Sequence, residues 1–197
     1  MSPHATFLHT LPPAVSGLMY LNSVNSTWMS AYGGNFYVIV EPQNSYHGID
    51  ELGAARILSL SPRVRAAVCA ALEPVHPLDT TIRGVSHVMW TDEPKAAGAH
   101  GRNAVFYGDR AIDRSPCGTG TSARLAHLAG TGRLQVGEPF IDESIIGSCF
   151  VGRVQQIVDL HGIPAVIPSI EGSAFITGLN TIWIDPSQLF PTGFQVV

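Results

Sequence analysis

The residues most suited to chemistry lie together at 113–122, which read DRSPCGTGTS. Taken physically, this is the end of a strand, a tight turn and the start of a helix, with Cys117 at that start. A helix N-terminus carries partial positive charge and unpaired backbone N–H groups. Such a place lowers the pKa of a thiol and makes thiolate available. The same amides, from Gly118, Thr119 and Gly120, can hold an anion such as a carboxylate, and the glycines allow that anion close to the backbone. Asp113, four residues before the cysteine, is placed to take an ammonium or secondary amine. A thiol base, a carboxylate cradle and an amine-binding carboxylate describe a site for an α-amino acid, and the chemistry they suit is exchange of the α-proton.

Blander readings compete with this one. An isolated cysteine in a Gly-rich turn is often a small, inert packing residue. GTGTSA also resembles a dinucleotide glycine loop, but that loop needs a βαβ unit with an acidic residue about 20 residues on. Asp142 and Glu143 sit near that distance in a β-rich run instead. A phosphatase cysteine–arginine loop is disfavoured because six residues separate Cys117 from Arg124, which falls well inside the helix.

The elements that must position this turn are legible in outline. Gly33 and Gly34 precede a β-rich run, NFYVIVE at 35–41. Two helices are predicted next. One lies near 49–60 with Asp50 as a cap. The other starts with Ser61 as N-cap and Pro62 at its first position, carries Val64, Val68 and Leu72 on one face, and ends at Glu73-Pro74. Strands are predicted at 82–91 and 103–107, followed by a turn at 108–113. Residues 121–129 form a helix apolar almost all round, with Arg124 and His127 its main polar positions, and Gly130 and Gly132 stop it. Short strands are then predicted at 144–150, 153–160, 165–169, 173–177 and 181–184. Many short strands around one buried helix suggest an α+β, barrel-like domain. Residues 1–30 show neither helical period nor clean alternation.

Composition narrows the function classes. The 197 residues are 45% hydrophobic and 13% charged, enough to fill a core and unlike a disordered chain. The net charge of −4 and the lack of a basic stripe argue against nucleic acid and anionic membrane as partners. Three widely spaced cysteines without a CxxC pair argue against a disulfide framework or a structural zinc site, and point to a reducing, cytoplasmic setting. The first 21 residues do not read as a signal peptide, because Pro12, Pro13 and Gly17 interrupt the apolar run. No stretch reaches the length of a membrane-spanning helix. Asn25-Ser26-Thr27 matches a glycosylation sequon and is read as coincidence. Cys69, Cys149, His47, His76, His87 and His127 are read as packing, surface or capped residues.

Several stretches together resemble the proline racemase family, which includes proline racemases, 4-hydroxyproline epimerases and trans-3-hydroxyproline dehydratases. They are AYGGNFYVIVE at 31–41, RNAVFYG at 102–108, DRSPCGTGTSARLA at 113–126, GEPFIDESIIGS at 137–148, AVIPSIEGSAFITG at 165–178 and GF at 193–194. DRSPCGTGTSA is the most specific of these. The resemblance implies a fold like that of diaminopimelate epimerase: two similar domains, each a β-sheet wrapped around a central helix, with the active site between them. It implies cofactor-independent racemisation or epimerisation at the α-carbon of proline or hydroxyproline, using two thiols on opposite faces.

Residue by residue, Cys117 matches the second catalytic cysteine and Asp113 the residue that binds the substrate amine. Gly118 and Thr119 match the amides that hold the carboxylate, and Tyr107 matches an aromatic wall beside the ring. Dehydratase members usually carry Thr where this chain has Cys117, which favours an isomerase over a lyase. The family's first catalytic motif, resembling MCGHG, is absent from this sequence. The expected organisation is therefore a poorly matching segment at 1–30 and a C-terminal catalytic domain at 31–197. The tail at 181–197 is expected to pack on the absent first domain. An uncovered interdomain face would lead to self-association or to pairing with a separate chain, and loss of the opposing base would impair inversion or leave an inactive paralogue or binding domain.

Overall fold

A computed structural model describes residues 5–9, 19–20, 28–43 and 46–193. The sequon at 25–27 and Phe194 lie outside the described residues. The elements in chain order are β1 (Ala5–His9), β2 (Met19–Tyr20), β3 (Trp28–Tyr32), β4 (Phe36–Val40), α1 (Ile49–Ala71), β5 (His87–Asp92) and β6 (Gly101–Tyr107). They continue with β7 (Ala111–Ile112), α2 (Gly118–Gly130), β8 (Pro139–Ser144), β9 (Cys149–Leu160) and β10 (Ile163–Ala174).

The strands form one sheet in the order β1-β10-β9-β8-β6-β5-β4-β3-β2, with β7 paired to β6 off this path. Two neighbouring pairs are parallel, β4 with β5 and β6 with β8, and the other pairs are antiparallel. A parallel pair needs a long crossover. Here α1 supplies the crossover from β4 to β5, and the segment holding α2 supplies the one from β6 to β8.

The sheet curls around α2. That helix packs against β9 and β10 from one end of the strand order and against β2, β3 and β4 from the other. Strand alternation explains why the central run is apolar without interruption. Phe36, Val38 and Val40 of β4, with Val88, Trp90, Ala104 and Phe106, join the cluster that holds Ile49, Leu52, Ile57 and Val68 of α1. Tyr37 and Ile39, with Met89 and Val105, face the opposite way and meet Cys117 and Ala123 of the α2 segment. A strand covered on both faces reads as a continuous apolar run. The far side of α2 places Leu125, Ala126 and Leu128 against Phe140, Val154 and Val166. The expected α+β architecture, a sheet wrapped around a central helix, is the one observed, and every α2 residue from Gly120 to Leu128 is buried.

Local expectations needed correction. The two helices predicted across 49–73 are one element, with its non-helical break at Gly53 (φ 65°) and Pro62 inside it. Ser61 does not cap a new helix. Its hydroxyl donates back to the Ile57 carbonyl (2.6 Å) and accepts from the Trp90 indole (2.9 Å). Burial of Ile57 and Val68 in one cluster carries the chain through the proline. Each such side chain contributes about 1.5–3 kcal/mol, comparable to what an internal proline removes.

The strand predicted at 144–150 is instead the corner between β8 and β9, closed by the Ser144 amide donating to the Ser148 carbonyl (2.7 Å). The strand predicted at 165–169 and the first two residues of the one predicted at 173–177 belong to one 12-residue strand, with Pro168 accommodated at a register shift, and 175–177 lie beyond its end. No strand forms at 181–184. Residues 175–193 lack helix and strand, and they expose Leu179 (99%), Ile182 (81%) and Trp183 (87%). His76 and His127 are buried, whereas surface or capped positions were expected; the ring of His76 sits against Tyr32 and His127 lies inside the all-round core of α2. Among the described residues, no helix is long and apolar enough to cross a membrane.

Candidate active site

The site begins with the β6–β7 hairpin, which turns through Gly108 and pairs Tyr107 with Ala111. The Asp113 amide then donates to the Val105 carbonyl (2.8 Å), which ties the end of the hairpin to the sheet. Asp113 folds the next turn with its own side chain: Oδ1 accepts from the Ser115 amide and the Ser115 hydroxyl, both at 2.9 Å. Ser115 Oγ in turn accepts from the Cys117 amide (3.1 Å). Carboxylate, hydroxyl and amide thus form one chain that fixes Cys117 relative to Asp113.

A second clamp holds the residue before the cysteine. The Pro116 carbonyl accepts from Asn103 Nδ2 (3.0 Å) and from the Thr121 hydroxyl (3.3 Å). Both donors also reach Asp142 Oδ2, at 2.8 and 2.9 Å. Asp142 is wholly buried, and burial pushes its carboxyl up to about 6, against the opposing pull of the Arg124 guanidinium and of its two donors. A polar residue in the apolar NAVFY strand was the available sequence signal for Asn103. Its role was missed because that signal does not name a partner 39 positions away.

Between the two clamps, Cys117 adopts φ 67° and ψ 108°, an unusual conformation for a residue with a side chain. Its carbonyl accepts the first helical bond, from the Thr121 amide (2.7 Å). Strained backbone of this kind costs about 1–3 kcal/mol and persists where surrounding contacts over-determine it. Gly33 lies so close to α2 that a Cβ there would fall 2.1 Å from the Thr119 carbonyl oxygen and 2.5 Å from the Ala123 nitrogen. A Cβ on Gly120 would fall 2.8 Å from Met89 Cε and 3.1 Å from Cys117 Cβ. Gly33 is thus required by close approach to backbone, while a side chain at 120 would have to displace the end of Met89.

Cys117 is buried, and burial pushes its thiol above the ordinary value. The Tyr37 hydroxyl, the Thr119 hydroxyl and the Gly120 amide pull it back, and Asp113 adds to the upward push. The sequence expectation of a lowered thiol pKa from the helix terminus is thus reversed in net direction, because desolvation of the sulfur outweighs the donors around it. Tyr37 Oη lies 3.3 Å from Sγ and 2.6 Å from Thr119 Oγ1, and Thr119 Oγ1 lies 3.6 Å from Sγ.

Gly118 is exposed and Thr119 half-buried. Tyr107 is exposed and stacks beside His87 (ring centroids 6.3 Å apart, 17° between planes). His87 in turn lies 4.8 Å from the Tyr37 ring and shares a 2.7 Å hydrogen bond between Nδ1 and Ser86 Oγ. Burial and Arg65 hold the His87 imidazole below its ordinary value, with Asp113 opposing. The structure therefore brings together Cys117, Asp113, Gly118 and Thr119, and joins Tyr107 to them through His87 and Tyr37. Tyr37 was not singled out from the sequence, and His87 was read there only as a surface or capped residue. Cys69, expected to pack, is exposed on α1 with its sulfur 3.5 Å from the Val85 carbonyl. Cys149 is half-buried at the start of β9. Among the described residues, no three His, Cys, Asp or Glu side chains are grouped to hold a metal ion.

The profile of the proline racemase family matches residues 27–195. A 4-hydroxyproline 2-epimerase of Ancylobacter novellus is 55% identical over 167 residues, covering 85% of this chain and 50% of that protein. A 4-hydroxyproline epimerase of Brucella ovis is 53% identical over 166 residues, covering 84% and 50%. A solved hydroxyproline epimerase from Agrobacterium vitis, with bound trans-4-hydroxy-L-proline, superposes with a TM-score of 0.70 at 32% identity, covering 97% of this chain and 54% of that one. The chain spans about half the length of the curated relatives it matches.

Proposed function

This chain belongs to the proline racemase family, and from that premise we propose that it carries the Cys117 half of a cofactor-independent racemase or epimerase site for proline or hydroxyproline. The observation that carries the reading is the arrangement at one turn: a buried sulfur on a positive-φ N-cap residue of α2, tied through Ser115 to the Asp113 carboxylate and bordered by exposed Gly118 and half-buried Thr119. The names of the epimerase relatives support the substrate class.

In this reading the substrate carboxylate lies on the amides of Gly118 and Thr119, where the helix terminus favours negative charge. Asp113 receives the ring amine, and Tyr107 walls the ring. Ionised Cys117 takes the α-proton. The Cα–H bond breaks, its electron pair spreads onto the bound carboxylate, and the proton moves to Sγ. Return of that proton to the same face restores the starting configuration. Delivery of a different proton to the opposite face inverts the centre and needs a second acid, which the family resemblance assigns to another cysteine. A wholly protonated buried thiol would be a poor base, so donors to the sulfur matter to the rate. A cytoplasmic setting fits three cysteines that are all free.

The organisation follows the same reading. Residues 31–197 form one of two halves, and the apolar side chains of 175–193 belong to the covered face. Self-association or a partner chain would then bury Leu179, Ile182 and Trp183. A strictly monomeric chain by light scattering at all concentrations would argue against this.

The activity is tested by incubating the chain with L-proline and with trans-4-hydroxy-L-proline in D₂O, following α-deuterium uptake by NMR and inversion by chiral chromatography, with Cys117→Ser as control. Uptake that vanishes in the variant supports the reading. Inversion as well would place a second acid in the assembly, whereas uptake alone would mean that one face is served. An unsaturated ring product from trans-3-hydroxy-L-proline would move the chain to the lyases. A folded chain that binds these amino acids without uptake would be a binding domain.

A further inference from the structure

Tyr37 is the only tyrosine among the described residues that is fully buried, at 0% exposure, and its hydroxyl meets the reactive turn. It sits on β4, between the ring of His87 and the apolar side chains of Ile39, Met89 and Val105. A phenol can be buried cheaply only if its hydroxyl is hydrogen-bonded. Here the partners are Thr119 Oγ1 at 2.6 Å and Cys117 Sγ at 3.3 Å, and the third side of the triangle, Sγ to Thr119 Oγ1, is 3.6 Å. Three polar atoms with one proton each can donate around such a triangle while the thiol is neutral. Once the thiol loses its proton, the sulfur can only accept.

We propose that Tyr37 is a positioning residue for Cys117: its hydroxyl turns its proton onto the sulfur as the thiolate forms, while Thr119 supplies the compensating bond. The inference rests on the reading of Cys117 as a proton-transfer base, and it names a group that serves that base without touching substrate. The other groups facing the sulfur do not substitute for Tyr37. Asp113, from the turn before α2, opposes the thiolate. The Gly120 amide of α2 favours it. His87, from β5, faces the Tyr37 ring and directs Nδ1 to Ser86. Burial keeps the Tyr37 phenol protonated far into alkali, so it stays a donor throughout the range in which a thiol ionises.

The test needs no turnover. Cys117 is alkylated with iodoacetamide across the neutral-to-alkaline range, and peptide mass spectrometry reads it separately from Cys69 and Cys149. In Tyr37→Phe, which deletes one oxygen, the inflection for Cys117 should move up by about one pH unit. The neutral-pH rate should fall by a smaller factor, about threefold, because a more basic thiolate is intrinsically more nucleophilic. Exposed Cys69 should react at an unchanged rate. Thr119→Val, at a half-exposed position, should move the inflection in the same direction by less, and it decides the matter if Tyr37→Phe does not fold. An unmoved inflection overturns the proposal. So does a downward move, because it would mean that the thiol donates to Tyr37. If the inflection rises in the variants while the wild-type chain shows no α-deuterium uptake, the Tyr37 assignment stands and the proposed activity falls.

Discussion

The N-terminal turn of α2 and the segment 175–193 are built in opposite ways. At the turn, Gly33 approaches α2 too closely for any side chain, Asp113 and Ser115 lock the Cys117 amide, and Asp142 with Asn103 and Thr121 clamps the Pro116 carbonyl. In the tail, Leu179, Ile182, Trp183 and Leu189 are each more than four-fifths exposed. One region is specified by contacts inside this chain. The other carries apolar surface that this chain leaves in solvent. The difference teaches that the geometry around Cys117 is set by contacts within this chain, whereas the apolar side chains of the tail find no cover among the described residues.

The largest effect should come from the sulfur. Cys117→Ala should lower α-deuterium uptake by about 10³-fold, the range associated with a positioned acid–base group, and NMR in D₂O reads it directly. Next is the close approach that holds the turn. Gly33→Ala should destabilise the fold by about 3 kcal/mol, because its Cβ meets backbone atoms of α2 that cannot swing aside. Denaturant unfolding measures the loss, and an equally stable variant would mean that the turn tolerates slack.

Asp142 gives a smaller, pH-dependent effect. Its folded carboxyl sits at about 6, above the ordinary value of 3.8, so the folded state keeps a proton that the unfolded state has released. Stability should therefore fall as pH rises from about 4 to about 6, by of order 2 kcal/mol. Asp142→Asn keeps an oxygen that can accept from Asn103 and Thr121 and should flatten that slope. The smallest effect belongs to the tail. Leu179→Ser should change unfolding stability by no more than about 0.5 kcal/mol, since nothing covers a side chain that is 99% exposed. The same change should reduce concentration-dependent association in light scattering. A large loss of stability would erase the contrast between the two regions.

Much of the α2 turn was legible beforehand because its signals are local. Cys117, Asp113 and the Gly-rich start of the helix share ten residues of sequence, and the all-round apolar pattern of 121–129 announced a buried helix. What escaped depends on distance along the chain. Tyr37 reaches Cys117 across 80 positions and Asn103 reaches Asp142 across 39, and no short motif records such partners. Alternation along NFYVIVE could have put Tyr37 and Ile39 on one face, but the face could be identified only once α2 was seen to pack there. Helix boundaries failed for a related reason. Ser61-Pro62 is a strong local start signal, and the shared burial of Ile57 and Val68 overrode it. The thiol direction also reversed on burial: a helix terminus can be read from sequence, while desolvation of one sulfur cannot.

The most direct test of the central claim is protection of Cys117 by its proposed ligand. Iodoacetamide labelling is followed at Cys117 and at exposed Cys69 with trans-4-hydroxy-L-proline, L-proline or L-prolinamide present. The expected result is slower labelling of Cys117 with one or both of the carboxylate-bearing amino acids, none with the amide, and an unchanged rate at Cys69 throughout. Equal labelling of Cys117 under all conditions would contradict an amino-acid site at the N-terminus of α2.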